Sequence, residues 1–144
     1  MKFRKIFSAL LFAAALITPS VSTAAQPEAI PDGVQILKKG TTYDVNKAPG
    51  HLVVIDFNAT WCGPCRRFSP IFEEAAEKYK GQVEFISVDI DQHQPLARNL
   101  GITSVPTLLF IRADGKIYSW VGFLPQEDFF KAIDQLKDNK SVTK

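Results

Sequence analysis

The chain has few of the residues from which metal centres and disulfide frameworks are built. Its 144 residues include two cysteines and two histidines. A structural zinc site needs four ligands, and beyond the cysteines the soft donors are His51 and His93, which do not form a second pair at finger-like spacing. One cysteine pair also excludes the several disulfides that stabilise many small exported domains. A hydrophobic core must therefore hold this fold together, and zinc binding is disfavoured.

The sequence also lacks an apolar run long enough to cross a bilayer as a helix, which takes about 20 residues. Its longest apolar run, residues 6–17, follows Lys2, Arg4 and Lys5 and leads into the small residues of "STAAQ". This pattern is typical of a cleaved secretory signal peptide. We therefore expect residues 1–25 to be removed and the protein to be exported, to a bacterial periplasm or to the medium. A retained N-terminal anchor is the alternative.

Basic residues are not in excess once the leader is set aside. The whole chain has 17 Lys and Arg against 15 Asp and Glu, and residues 1–25 hold three of the basic ones, which leaves a net charge of −1. No basic patch interleaved with aromatic residues remains, so nucleic acid is not an expected partner. The remaining 119 residues suit one domain, 26–144, with one core, which we expect to be a monomer.

The hydrophobic pattern of that domain predicts alternating strands and helices. After a lead-in segment at 26–33, "VQIL" indicates a short strand, and the continuous apolar run "HLVVIDFNA" predicts the centre of a sheet. Apolar residues at helical spacing then predict a helix that ends at Gly81, with a kink at Pro70. "TTYDVNKAPG" indicates a loop or at most a short helix.

The second half continues this alternation. "VEFISVDI" predicts a strand and "QPLARNLGI" a short helix, and "TLLFIRADGKIYSWVGF" predicts a hairpin around Asp114 and Gly115. Pro125 opens a last helix, which fades into a polar tail at 139–144. This order of elements favours a mixed α/β sheet covered on both faces.

The two cysteines lie three positions apart in "DFNATWCGPCRRF", residues 56–68. A disulfide there closes a very small loop and adds little stability. Cys62 follows a predicted buried strand and begins a predicted helix, where unpaired N–H groups and the helix dipole favour a thiolate. Cys65, one turn later, is placed to attack a mixed disulfide at Cys62. The surroundings therefore favour a redox-active pair, and the motif leaves the direction of exchange open.

The sequence "WCGPC" resembles the active site of the thioredoxin family. Asp56 matches the family's buried acid, Pro70 its helix-kinking proline, "VPT" at 105–107 its cis-proline loop and "VG" at 121–122 its late glycine. The resemblance covers nearly all of the exported part. It implies a thioredoxin-like fold, with a central mixed sheet of four or five strands, helices on both faces, and no bound cofactor or metal.

The resemblance also implies a role for each matching residue. Cys62 would be the attacking thiolate, Cys65 the resolving cysteine, and Asp56 the acceptor, directly or through water, of the proton that Cys65 loses. Pro106 would be cis, with the Val105 backbone beside the cysteines to pair with an extended substrate segment. The substrate-binding surface would consist of Trp61, Gly63, Pro64, Val105, Thr107 and Gly122.

Simpler interpretations remain open for several of these residues. Asp56 could be a carboxylate at a strand edge, Pro106 could end an ordinary trans turn, and Trp61 could serve packing alone. Arg66 and Arg67 are expected to decorate the helix surface. The two histidines are expected to be surface loop residues.

Two positions depart from the family pattern. Asn58 stands where many cytosolic thioredoxins have tryptophan, and Ser87 where they have a lysine paired with the buried acid. The missing lysine predicts a higher pKa for Asp56, because a buried carboxylate would lose its compensating charge. Val105 resembles the corresponding residue of the periplasmic disulfide oxidant of bacteria, but the chain has no room for that protein's large helical insertion.

The sequence therefore predicts an exported thiol-disulfide oxidoreductase that acts on proteins carrying disulfides or thiols. The dipeptide between the cysteines favours reduction, since the thioredoxin potential is about −270 mV and that of the oxidant about −120 mV. Reduction outside the cytoplasm would require a membrane electron donor. An oxidising or isomerising role on protein disulfides stays open. The alternative from another class is a docking or chaperone subunit of the same fold whose cysteines are not required.

Overall fold

The apolar run after His51 forms the middle strand of the sheet in the computed structural model, which describes residues 29–138. This strand, β2 (Leu52–Asn58), has six buried residues among its seven, as expected for a strand covered on both faces. β3 (Val83–Asp89) pairs with it in parallel and β4 (Thr107–Ile111) pairs antiparallel on the other side. The predicted sheet centre is confirmed. The predicted leader and polar tail lie outside the described residues.

Two short strands complete the sheet. β1 (Val34–Ile36) pairs in parallel with β3, and β5 (Ile117–Val121) pairs antiparallel with β4. The strand order is β1-β3-β2-β4-β5. The predicted hairpin is confirmed at the β4–β5 turn, where Gly115 adopts a φ of 83° that a side chain would strain. The sheet is thus the mixed, five-stranded sheet that the sequence and its family resemblance predicted.

Helices cover both faces of the sheet. α1 (Gly63–Lys78) and α3 (Gln126–Lys137) pack on one face, where the Phe68 and Phe129 ring centroids lie 5.1 Å apart. α2 (Gln94–Asn99) lies against the other face, where Leu96, Leu100 and Ile102 pack on a second cluster of buried residues. Side chains alternate between faces along each strand, so Leu52 and Val54 of β2 belong to the α1 face. Asp56 and Asn58 continue that alternation on the same face.

Some details differ from the sequence-based expectations. α1 ends at Lys78 and is capped by Tyr79, whose backbone N–H donates to the Ala75 carbonyl, so Gly81 lies beyond the helix end. Both histidines lie in loops, as expected, but His93 is buried and His51 is only partly exposed. His51 is paired with Glu84 at 2.9 Å, and His93 is buried with Nε2 3.0 Å from the Leu37 carbonyl. Each finds a polar partner far away in sequence, which a local pattern does not reveal.

Candidate active site

The cysteine pair lies where β2 gives way to α1. Cys62 is the N-cap of the helix, with extended backbone angles of φ −85° and ψ 111°, and its Sγ accepts a hydrogen bond from the Cys65 backbone N–H at 3.2 Å. Pro64 fits the first turn because a helix start does not need its N–H. The two sulfur atoms are joined in a disulfide, and the Cα atoms lie 5.3 Å apart. The first turn of α1 therefore presents both sulfurs together with a backbone donor.

The disulfide is enclosed rather than open. Cys62 is 4% exposed and Cys65 2% exposed, and both pack against Ala59, with Ile90 and Val105 at the edge of the cluster. Ile90 was missed by the sequence analysis. Its position could have been anticipated, because β2 and β3 are parallel and their carboxyl ends meet at one edge of the sheet. A substrate must fit closely against this cluster before its sulfur can reach Cys62.

The loop before β4 comes to the same place. The Val105–Pro106 peptide bond is cis, as predicted, and Pro106 is buried. The Pro106 carbonyl accepts a hydrogen bond from the Gly122 backbone N–H at 2.8 Å, and Gly122 has a φ of 97°. Val105 and Ile90 both pack against the cysteines, so three segments far apart in sequence meet at the disulfide: residues 59–65, Ile90 and Val105. The trans-turn alternative for Pro106 is wrong.

Trp61 stands beside the disulfide and is 65% exposed, so packing alone does not account for it. Its indole Nε1 donates to Asp91 Oδ2 at 2.9 Å. That hydrogen bond holds a large apolar side chain in one orientation at the surface. Asp91 was missed by the sequence analysis, because it lies 30 residues from Trp61 and belongs to no motif.

The other expected substrate contacts differ in accessibility. Gly63 is half-buried and Pro64 is exposed beside the cysteines. Thr107 is buried, and its hydroxyl donates to the Ser104 carbonyl at 2.7 Å, so its side chain bonds within the loop and does not offer a contact surface.

Arg66 and Arg67 are exposed on the surface of the helix, as expected. Arg66 donates to the Thr60 carbonyl at 3.1 Å, and Arg67 lies 5.8 Å from the Phe123 ring centroid.

Asp56 lies in the central strand and is 2% exposed, so the strand-edge alternative is wrong. Burial raises the pKa of its carboxyl from 3.8 to about 7, and a hydrogen bond from Asn58 opposes that rise. The Asn58 amide Nδ2 lies 3.2 Å from Asp56 Oδ2 and 2.8 Å from Ser87 Oγ. The two residues that depart from the family pattern are therefore in contact with each other, and one of them binds the buried acid.

Residues 29–138 contain neither a metal-binding cluster nor a membrane-spanning helix. No group of three or more His, Cys, Asp and Glu side chains is arranged to hold a metal ion. None of the helices in this range is long and apolar enough to cross a membrane.

The thioredoxin family model matches residues 34–135. This chain belongs to the thioredoxin family. Thioredoxin from Borreliella burgdorferi is 50% identical over 80 residues, which cover 56% of this chain and 68% of that one. Thioredoxin from Staphylococcus aureus is 32% identical over 90 residues, covering 62% and 86%. The fold and the cysteine pair identify the chain as a thiol-disulfide oxidoreductase, in a family that acts on protein disulfides.

Solved thioredoxin structures share this architecture. Thioredoxin f from spinach chloroplast superposes with a TM-score of 0.63 at 32% identity, covering 76% of this chain and 97% of that one. Thioredoxin from Malassezia sympodialis gives a TM-score of 0.62 at 36% identity, covering 75% and 95%. Both likenesses therefore cover about three quarters of this chain.

Proposed function

We propose that the protein works outside the cytoplasm, most simply in a bacterial periplasm, where it reduces disulfides in protein substrates. The observation that carries the chemistry is the Cys62–Cys65 disulfide at the start of α1, with a backbone N–H aimed at the Cys62 sulfur. That donor and the helix terminus stabilise negative charge on Cys62 in the reduced protein.

Exchange then proceeds in two steps. The Cys62 thiolate attacks a substrate disulfide, one substrate sulfur leaves as a thiolate that takes a proton from solvent, and a mixed disulfide remains. Cys65 next loses its proton to the Asp56 carboxylate and attacks Cys62 Sγ. The Cys62–Cys65 disulfide forms and the second substrate sulfur leaves as a thiolate. Two electrons have passed from the dithiol to the substrate disulfide.

Asp56 suits the role of proton acceptor for two reasons. Its pKa of about 7 means that it exchanges a proton readily near neutral pH, as a general base requires. It also lies on the sheet face that α1 covers. The Val83 N–H donates to the Tyr79 carbonyl, which places the end of α1 beside the beginning of β3, and Val83 in turn lies opposite Leu52. α1 therefore runs back along β2, and its first turn with Cys65 lies over the end of β2 that carries Asp56.

A docked substrate would lie across the surface formed by Trp61, Val105 and Gly122. Trp61 supplies an oriented apolar face, and the Val105 backbone lies at the edge of the cluster that holds the cysteines. An extended segment pairing with that backbone would bring its own sulfur toward Cys62. This arrangement supports protein substrates in preference to small thiols.

Export and its consequences rest on the leader pattern at residues 1–25. In an oxidising compartment the reduced form must be regenerated, so the proposal includes a membrane electron donor. Mass spectrometry of the protein isolated from its native cell tests the first point. Loss of about 25 residues from the amino terminus supports export, and an intact leader on a cytoplasmic protein contradicts it.

The direction of electron flow has a direct test. The reduction potential of the Cys62/Cys65 couple is measured against glutathione, and the redox state of the pair is trapped in cells with an alkylating reagent. A potential near about −270 mV with a mostly reduced pool supports the reductant. A potential near about −120 mV with an oxidised pool would overturn it in favour of an oxidant.

A further inference from the structure

The buried acid Asp56 is held by one side-chain amide, which a hydroxyl anchors in turn, and no charged group bonds to the acid among the described residues. Asn58 lies two positions after Asp56 on the same strand face, and Ser87 lies directly opposite Asp56 on β3. The Asn58 Nδ2 donates to Ser87 Oγ at 2.8 Å and reaches both Asp56 Oδ2 and the Asp56 carbonyl at 3.2 Å. Ser87 thereby fixes the amide, and the amide fixes one carboxylate oxygen.

The second carboxylate oxygen is in a different situation. Within residues 29–138, Asp56 Oδ1 is buried and has no hydrogen-bond partner. A carboxylate with one oxygen bound by a donor and one left free has its two oxygens made inequivalent. The free oxygen is the one on which a proton is more readily placed, because protonating the other would weaken the hydrogen bond that it accepts from Asn58.

From this contact we propose that Asn58, anchored by Ser87, is a positioning residue for thiol-disulfide exchange: it holds Asp56 Oδ2 so that Oδ1 takes the proton from Cys65. The inference rests on the proposed role of Asp56 in the exchange. Asn58 touches neither the cysteines nor the substrate in this scheme, and it acts through Asp56 alone.

Within residues 29–138, Asn58 is the residue whose side chain donates to the Asp56 carboxylate. β4 places Leu108 opposite Asp56, and β3 places Ser87 there. Asp89, opposite Asn58, has its carboxylate engaged by the Gln92 side chain and the Asp91 backbone N–H. The N-cap and the first turn of α1 carry Cys62 and Cys65, and α1 covers the same sheet face. Burial is the largest influence on the pKa of Asp56 and raises it, and the Asn58 hydrogen bond is the influence that lowers it.

Loss of the Asn58 donor must raise the pKa of Asp56 further, because a hydrogen bond to the carboxylate favours its charged form. A hydrogen bond to a charged group is strong enough to move the midpoint by about one pH unit. At about pH 7 the ionised fraction would then fall from about a half to about a tenth, so resolution by Cys65 would slow about fivefold and recover at higher pH.

The test follows the Asp56 carboxyl directly by carbon NMR in the oxidised protein, where the cysteines do not titrate. Asn58→Leu keeps the side-chain volume and removes the donor, and its midpoint is expected about one unit above wild type. Ser87→Ala frees the amide and is expected to shift the midpoint upward by about half that amount. Ser87→Thr keeps the hydroxyl and is expected to retain the wild-type midpoint. A midpoint in both Asn58→Leu and Ser87→Ala equal to that of wild type overturns the inference.

A kinetic readout separates this inference from the proposed function. The rate at which Cys65 resolves a preformed mixed disulfide is measured against pH for wild type and Asn58→Leu. A profile displaced to higher pH with the same plateau supports positioning, and a uniformly lower rate at every pH overturns it. If wild type itself shows no exchange, the proposed function fails, while the NMR titration still decides whether Asn58 controls Asp56.

Discussion

The backbone N–H of Cys65 points at the sulfur of Cys62 across 3.2 Å. This hydrogen bond stabilises a thiolate at Cys62. As the N-cap residue, Cys62 also lies at the positive end of the α1 dipole, which favours the same negative charge. We expect the reduced protein to react with one equivalent of iodoacetamide almost wholly at Cys62 near neutral pH. Peptide mapping by mass spectrometry measures the split. Equal labelling of the two cysteines would contradict this difference.

Asp56 predicts an unusual dependence of stability on pH. Its folded-state pKa of about 7 lies above the unfolded value of 3.8, so the folded protein binds this proton more tightly than the unfolded chain. The contribution of protonated Asp56 to the free energy of unfolding is therefore complete below about pH 4 and is lost as pH rises to about 7. Asp56→Asn stays neutral throughout. We expect it to gain on the order of 4 kcal/mol relative to wild type above about pH 7, with no gain under acid conditions.

Urea denaturation of the oxidised proteins at a series of pH values measures this gain. Asp128→Asn is the matched control, because Asp128 is an exposed carboxylate in the first turn of α3. It should leave the pH dependence of wild type unchanged. A constant difference between Asp56→Asn and wild type from acid to alkaline pH would refute the raised pKa.

Phe68 should be a sensitive position of the aromatic core. It is fully buried, and its ring contacts those of Phe72, Phe123 and Phe129 at centroid distances of 6.0, 6.3 and 5.1 Å. Phe68→Ala leaves a cavity at the junction of α1 and α3 and should lower the free energy of unfolding by about 3–5 kcal/mol. Chemical denaturation measures the loss. Trp61→Ala, at an exposed position, should cost under about 1 kcal/mol.

Asp91 should matter for substrate docking and little for stability. Asp91→Ala removes the acceptor of the Trp61 indole N–H, which leaves the exposed ring free to rotate. In a Trp120→Phe background, so that Trp61 alone fluoresces, the fluorescence anisotropy should fall. KM for a protein disulfide should rise several-fold with kcat nearly unchanged. Asp91→Asn, which keeps a carbonyl acceptor, should behave like wild type, and an unchanged anisotropy in Asp91→Ala would count against the orienting role.

Much of the fold was predictable because its signals are local. The buried run of β2, the Asp-Gly turn of the β4–β5 hairpin and the apolar spacing of α1 each follow from a short stretch of sequence. The order of these elements then limits the sheet to few arrangements. The end of α1 was misjudged, because Gly81 is a plausible stop and the helix finishes three residues earlier.

The site was predictable only as far as its motifs reach. The cysteines and the cis-proline loop are carried by recognisable sequence, whereas the parallel pairing of β2 and β3 brings Ile90 to the disulfide and Asp91 to Trp61. The contact between Asn58 and Ser87 is of the same kind. Each residue departs from the family pattern at its own position, and their hydrogen bond depends on a strand register that no short pattern encodes.

Cys62 should form a mixed disulfide with protein substrates, and Cys65 should resolve it. The most direct measurement is capture by Cys65→Ala in the native cell, followed by non-reducing electrophoresis and mass spectrometry, with the Cys62→Ala, Cys65→Ala double variant as control. We expect discrete adducts that are linked through Cys62, released by reductant and absent from the control. An absence of covalent partners from well-folded Cys65→Ala would contradict this mechanism.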